Sequence, residues 1–227
     1  MRKTSLITLA AAFLLLIQPT GAQDLGVALR VGTLGPGVDV SYSVSPKFNV
    51  RGGAAYFSTT FDETLDDEDI DLALTGDATI GAISFMADFH PFENSFRLSA
   101  GLNMNLFEGS ADGRSLSPYC FGDEDAQGNC LDKEFSAEKV GTFGAKVSYP
   151  SAFQPYAGIG FGNMARGQSR VTFMMDLGVI YAGKPELELS ATGLLAPTAT
   201  ENEARLNEGI ESFVLYPVFS LGIGFRL

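Results

Sequence analysis

The chain has 227 residues, 45% of them hydrophobic, with 15 Lys and Arg against 27 Asp and Glu, a net charge of −12 at pH 7. That balance excludes a nucleic-acid binder, which needs a basic patch, and it fits the apolar content only if the acids are concentrated in a few places. One histidine and two cysteines leave little for metal or nucleophilic chemistry, and no cofactor is expected.

The chain opens with Arg2 and Lys3, an apolar run from Leu6 to Ile17, and the small residues Pro19, Thr20, Gly21 and Ala22. This is the pattern of a secretory signal peptide over residues 1–22, cleaved before Gln23. Its apolar run is shorter than the roughly 20 residues a membrane-spanning helix needs. Loss of Arg2 and Lys3 with the leader takes the net charge to −14 over residues 23–227. That length suits one all-β domain.

Segments of period two follow, the signature of strands. LGVALRVGT (25–33) is the first. GVDVSYSVS places Val38, Val40, Tyr42 and Val44 on one face, and KFNVRGGAAYF does the same with Phe48, Val50, Ala54 and Tyr56. IDLALTGDATIGA sets Leu72, Leu74, Ala78 and Ile80 against Asp71, Thr75, Asp77 and Thr79. The pattern then changes parity after Ala82, with Ile83, Phe85, Ala87 and Phe89 apolar; a bulge would explain the shift. SFRLSAGLNMNLF alternates without a miss from Phe96 to Leu106. GTFGAKVSY, YAGIGFG, RVTFMMDLGVIY, ELELSATG and VFSLGIGFRL continue the pattern. With the first segment this makes ten strands; eight is the alternative if two segments merge or are miscounted.

Short connections at 45–47, 90–95, 150–155 and 182–185 contrast with long ones at 58–69, 108–137 and 195–215. Outer-membrane barrels have this asymmetry, with tight periplasmic turns and long external loops. The acids gather in the long connections, at 62–71 and 122–130. Tyr42, Phe48, Phe89, Phe92, Phe96, Tyr149, Phe153, Tyr156, Tyr181 and Tyr216 stand beside the short connections. If those share one end, the aromatics form a belt at one interface. The fold expected is therefore an antiparallel up-and-down transmembrane β-barrel of 8–10 strands, apolar faces to lipid. A soluble lipocalin-like or sandwich β-protein is the alternative.

The C-terminal SLGIGFRL resembles the assembly signal of bacterial outer-membrane barrels in Ser220, Gly222, Phe225 and Leu227. The final residue departs from it, because a terminal Phe is usual there. VGTLGPGVDVSYSVSPKFNVRGGAAYF (31–57) is similar to the opening of small OmpA/OmpX/OmpW-type proteins, and ADFHPFENSFRLSAGL (87–102) looks like the same superfamily. The resemblance implies an outer-membrane protein inserted by the barrel-assembly machinery and in contact with outer-membrane lipid and lipopolysaccharide. It assigns no substrate. A monomer is expected.

Arg51, Asp77, Arg97, Lys146, Asp176, Glu188 and Arg226 interrupt the polar faces and are expected to pair inside the lumen, which side chains largely fill at this strand number. That favours a structural or surface-interaction role, with a narrow channel or carrier for a small solute as the alternative and an enzyme less favoured. Cys120 and Cys130 suit a loop-closing disulfide in an exported protein. TENEARLNEGIESFVLYP (200–217) has Leu206, Ile210, Phe213 and Val214 at helical spacing, with Thr200 and Glu203 as a capping box. Such a helix would pack its apolar stripe over the rim, or serve as a lid, plug or lipid-surface element. The pairs Asp88/His90 and Asp69/Asp71 are the types an aspartyl-type membrane protease uses. Here they lie ~60 Å apart along one strand, beyond hydrogen-bond reach. The acidic run from Asp62 to Asp69 has hard-cation ligands but no EF-hand spacing, and reads as a solvated loop.

Overall fold

The computed structural model describes residues 24–66, 71–122, 130–166 and 169–227. The leader, Asp67, Glu68 and Asp69 of the first acidic run and most of the second run lie outside the described residues. The elements in chain order are β1 (Leu25–Gly32), β2 (Gly35–Ser45), β3 (Phe48–Asp66), β4 (Asp71–Phe89), β5 (Phe96–Asn105), β6 (Glu108–Ser115), β7 (Tyr119–Phe121), β8 (Lys133–Phe135), α1 (Ala137–Val140), β9 (Thr142–Ser148), β10 (Phe153–Phe161), β11 (Val171–Tyr181), β12 (Glu186–Ala191), α2 (Ala196–Ile210) and β13 (Leu215–Arg226).

Eight of these strands close into an antiparallel transmembrane barrel, in the order β1, β2, β3, β4, β5, β10, β11, β13 and back to β1. Closure pairs every spanning backbone group within the wall, which lipid requires because it offers no hydrogen bonds. The outward residues are large and apolar, and Leu29, Phe85, Leu177 and Ile223 are each more than half exposed. A water-soluble sheet would bury such a face; lipid solvates it. The inward residues include Ser41, Asn49, Arg51, Asp88, Arg97, Asn103 and Asp176, all nearly inaccessible. The alternation of β5 is thereby resolved: Leu98 and Leu102 meet lipid, and Arg97, Ser99 and Asn103 fill the lumen.

The expected ten strands become eight because β9 and β12 never enter the membrane. β4 forks. Its Ala82–Phe89 half pairs with β5, whereas its Leu72–Thr79 half pairs with β6, and β9 and β12 follow β6 outward. With the far halves of β3 and β4, these three strands make a five-stranded sheet standing on the barrel rim. β6, EGSADGRS, carries too few apolar residues to read as a strand in the sequence.

The parity change after Ala82 is not a bulge. β3 and β4 pair in unbroken register from Phe48↔Phe89 to Asp66↔Asp71. What changes is the solvent outside. Within the barrel the odd residues Ile83, Phe85, Ala87 and Phe89 face lipid. Beyond the fork the same outer face carries Thr79, Asp77 and Thr75, while Ile80, Ala78, Leu74 and Leu72 continue the inner face. The hydrophobic pattern switches sides because the exterior passes from lipid to water.

Both termini lie at one end, the periplasmic end by the usual orientation of such barrels. The turns at 46–47, 90–95 and 162–170 share that end. The connections at 150–155 and 182–185 belong to the opposite end, contrary to the sequence expectation: β9 does not span the membrane, so both turns that follow it change side, and β12, which does not span either, restores the order for β13. The aromatics therefore divide between two ends. Tyr42, Phe48, Phe89, Phe92 and Phe96 stand at the terminal end, where Phe48 and Phe89 stack at 4.8 Å between centroids. Tyr149, Phe153, Tyr156, Tyr181 and Tyr216 stand at the other, with Tyr156 turned inward.

The helix α2 lies beside β12 at the external end. It starts at Ala196, before the expected Thr200 cap. Its polar side does the docking. Asn207 accepts from the Leu187 N–H at 2.9 Å and donates to the Leu187 carbonyl at 2.8 Å, and Glu203 accepts from the Leu189 N–H at 2.8 Å. Leu206 and, beyond the helix, Phe213 remain exposed. Unpaired backbone groups along an edge strand demand partners, and the helix supplies them; of the apolar stripe, Ile210 and Val214 are half-buried. Cys120 and Cys130 form a disulfide, Cα–Cα 5.5 Å, that closes the β7–β8 hairpin outside the barrel.

The lipid boundary defines a test. Leu177→Arg, mid-wall, should lower barrel stability by about 2–4 kcal/mol. Thr79→Arg, on the same outer surface beyond the fork, should stay within about 0.5 kcal/mol of wild type. Urea titration of the heat-modifiable gel band in lipid vesicles reads both.

Candidate functional site in the barrel lumen

The narrow lumen brings together inward positions from β1, β2, β3, β4, β5 and β11. Arg51 is the hub. Its Nε donates to Asp88 at 2.9 Å, Nη1 to Asp39 at 3.4 Å and Nη2 to Asp176 at 3.3 Å. Arg97 donates from Nη2 to Asp176 at 2.7 Å, and its Nε lies 3.8 Å from Asp88. Arg30 donates from Nε to Asp39 at 3.1 Å. Ser99 donates to Asp88 at 2.6 Å and Ser220 to Asp176 at 3.5 Å. Three guanidiniums meet three carboxylates, so the cluster is formally neutral.

Burying one ion alone costs several kcal/mol, which its partners repay only with good geometry and satisfied hydrogen bonds. The network approaches that condition by sharing: each carboxylate answers two guanidiniums, and Arg97 Nε, 3.8 Å from Asp88, is left with charge contact alone. Gly160 on β10 makes room for it. A Cβ there would stand 2.7 Å from Arg97 Nε and 2.9 Å from Asp176 Oδ1.

Above the network the lumen turns apolar, with Leu34, Ala55, Ala82, Tyr156, Ile180, Ala182 and Val218 packed together. Among the described residues, cavities of about 20 Å³ lie against the network and nearer the mouth, both touching Leu34 and Ile180. Each has room for about one water. Below the network, Met164 from the β10–β11 connection packs with Ala28 and Met174. His90 is fully buried beside Asn49 at the same end.

Of the charges expected in the lumen, Arg51, Arg97 and Asp176 meet there. Asp77, Lys146 and Glu188 do not; this corrects the sequence reading. They stand on the outer face of the external sheet, where Lys146 donates to Glu108 at 2.9 Å and faces Glu188 across β9–β12. The outward surface there is water, so charges need no lumen. Arg226 is half-buried at the terminal end of β13. Asp39, Asp88 and Arg30 complete the network and were missed as lumen charges, although each holds an inward parity position among apolar neighbours. Of the C-terminal signal residues, Ser220 points inward to Asp176, Phe225 faces lipid, and the Leu227 N–H donates to the Leu25 carbonyl at 3.0 Å. Asp88 and His90 sit at the opposite end of the 19-residue β4 from Asp71, and no group of metal-binding side chains occurs among the described residues.

Among solved structures, CarO2 of Acinetobacter baumannii is similar with a TM-score of 0.57 at 18% identity, covering 90% of this chain and 98% of that one. CarO of the same organism gives 0.53 at 16% identity, covering 90% and 98%. At such identities the likeness is one of fold, that of eight-stranded outer-membrane barrels. No protein-family model and no curated protein matches the chain.

Removing one carboxylate from a shared cluster strands its guanidiniums. Asp176→Ala should cost about 3–5 kcal/mol, lowering the urea midpoint of the folded gel band, and Gly160→Val should lower it too by displacing Arg97. An unchanged midpoint in both would show that the network contributes little.

Proposed function

We propose that the protein is a non-catalytic component of the bacterial outer membrane, with a structural or envelope- and surface-interaction role. The single observation behind this reading is the lumen: a neutral, hydrogen-bonded ion network crosses it, capped on one side by apolar side chains and on the other by Met164. An ion entering would have to displace buried salt bridges and then cross an apolar layer. What the barrel presents instead is the rigid external sheet of β3, β4, β6, β9 and β12, with α2 along one edge. Its outer face is rich in Ser, Thr and acids, which suits a hydrated environment beside lipopolysaccharide headgroups.

The proposal carries the rest of the sequence reading with it. Residues 1–22 direct export and are removed, residues 23–227 form the barrel domain, and Ser220, Gly222, Phe225 and Leu227 engage the assembly machinery. The protein works as a monomer without a cofactor. A narrow channel or carrier for a small solute is the second reading. The two water-sized cavities in line above the network favour it.

Planar-bilayer recording separates the two. The purified barrel should give no steady conductance at moderate voltage, whereas steady ion-selective steps would establish the channel reading. Asp39→Asn with Asp88→Asn should raise leak, because the unbalanced guanidiniums then loosen the packed centre.

A further inference from the structure

The periplasmic end holds a chain of polar side chains that leaves no freedom in hydrogen position. His90 Nδ1 lies 3.0 Å from the Asn94 carbonyl and 3.1 Å from the Phe96 carbonyl. Both only accept, so Nδ1 carries the proton and Nε2 is bare. At the other end of the chain, Asn163 Oδ1 accepts from the Arg166 backbone N–H at 3.1 Å, which fixes that amide. Asn49 stands between them. Its Nδ2 is 3.2 Å from His90 Nε2 and 3.1 Å from Asn163 Oδ1. Two acceptors flank one amide nitrogen, and the assignments made from the two ends agree.

This arrangement admits only a neutral imidazole. A proton on Nε2 would point at the donors of Asn49. Relief requires Asn49 to turn its amide, offering Oδ1 to the imidazolium, and Oδ1 would then confront Asn163 Oδ1. In the neutral state Asn49 Oδ1 is buried without a hydrogen-bond partner among the described residues, so it is free to take that role. Asn163 is followed by Met164, whose side chain closes the periplasmic lumen against Ala28 and Met174 and lies against Gly26 and Gly224.

We propose that His90, Asn49 and Asn163 form a proton-operated latch: neutral His90 holds the Asn163–Arg166 segment and its Met164 stopper in the barrel mouth, and protonation of Nε2 releases them while Gly162 stays anchored by Arg97 and the Ser95 carbonyl. One proton is taken up, and the two hydrogen bonds from Asn49 Nδ2, to His90 Nε2 and to Asn163 Oδ1, are exchanged for one from the imidazolium to Asn49 Oδ1. The charged groups around His90 do not reverse this. Asp88 on β4 attracts a proton, but Arg51, Arg97 and Ser99 already engage it, and Arg97 on β5 repels one. Lys47 and Glu93 pair with each other at 3.8 Å on the exposed turn, and the Arg166 side chain leans 3.8 Å from Asp24. Burial keeps the imidazole below its ordinary range.

The sign follows. A folded state that depresses an imidazole pKa favours the neutral form, so the latch is fully closed above the unfolded value of about 6.5 and opens as pH falls through the lower folded value. The test uses the intact mature barrel in lipid nanodiscs. His90 is the sole histidine, so its ring ¹⁵N shifts report tautomer and titration unambiguously, and the ¹³C methyl signal of Met164 reports the stopper. Expected are the Nδ1–H tautomer at pH 8, a folded midpoint below 6.5, and a Met164 change with the same midpoint. In His90→Gln the Met164 signal should not respond to pH, and in Asn163→Ala it should be mobile at every pH. An Nε2–H tautomer at pH 8 overturns the proposal. So does a Met164 signal that ignores the His90 titration in wild type, a comparison that does not depend on any variant folding.

Discussion

The structure depends on one constraint: eight strands enclose too little space for bulk water, so any charge in the lumen must be answered by another side chain. Three arginines and three aspartates meet the constraint together. Arg51 alone links Asp39 and Asp88 on its neighbouring strands β2 and β4 and reaches across the barrel to Asp176 on β11. Backbone pairing fixes each strand to its neighbours, and the network fixes opposite walls to each other. This also accounts for Gly160, since Arg97 on β5 and Asp176 on β11 flank it in register on the two neighbouring strands and meet over a position with no side chain of its own.

The exterior obeys a second rule with its own break point. A strand that passes from lipid into water must exchange its apolar and polar faces while keeping its register. β4 does this between Gly81 and Ile83, and β3 opposite it changes from Ala54 and Tyr56 outward to Ser58 and Thr60 outward. The same point is where β5 ends its pairing and β6 begins. The wall opens where the membrane stops demanding closure. The β12 edge of the external sheet that results is met by α2, which answers its backbone with Asn207 and Glu203.

The two ends of the lumen differ in kind. The external side is filled with apolar side chains around Tyr156 and Ile180. The periplasmic side relies on amides, the buried His90 and a methionine from a connecting segment. Packing is indifferent to pH, whereas a hydrogen-bonded chain with an imidazole in it is not, so the periplasmic end is the one suited to respond near neutral pH.

The sequence by itself determined that the chain forms a membrane barrel. Period-two faces with Arg97 and Ser99 opposite Leu98 and Leu102 have one economical reading once every segment repeats them, and the disulfide of Cys120 and Cys130 could be read from ten-residue spacing in an exported chain. Local pattern could not tell which strands span. GTFGAKVSY and ELELSATG alternate as well as any wall strand, because a sheet with water on one side and packed side chains on the other alternates too. Only long-range pairing distinguishes them, and that single ambiguity set the strand number, the side of two turns, the division of the aromatics and the fate of Asp77, Lys146 and Glu188. The tertiary structure also decided which charges meet. Arg30 and Asp39 share one hairpin, but Asp88, Arg97 and Asp176 lie far along the chain, and their convergence on Arg51 is a consequence of barrel closure, which no local window of sequence contains.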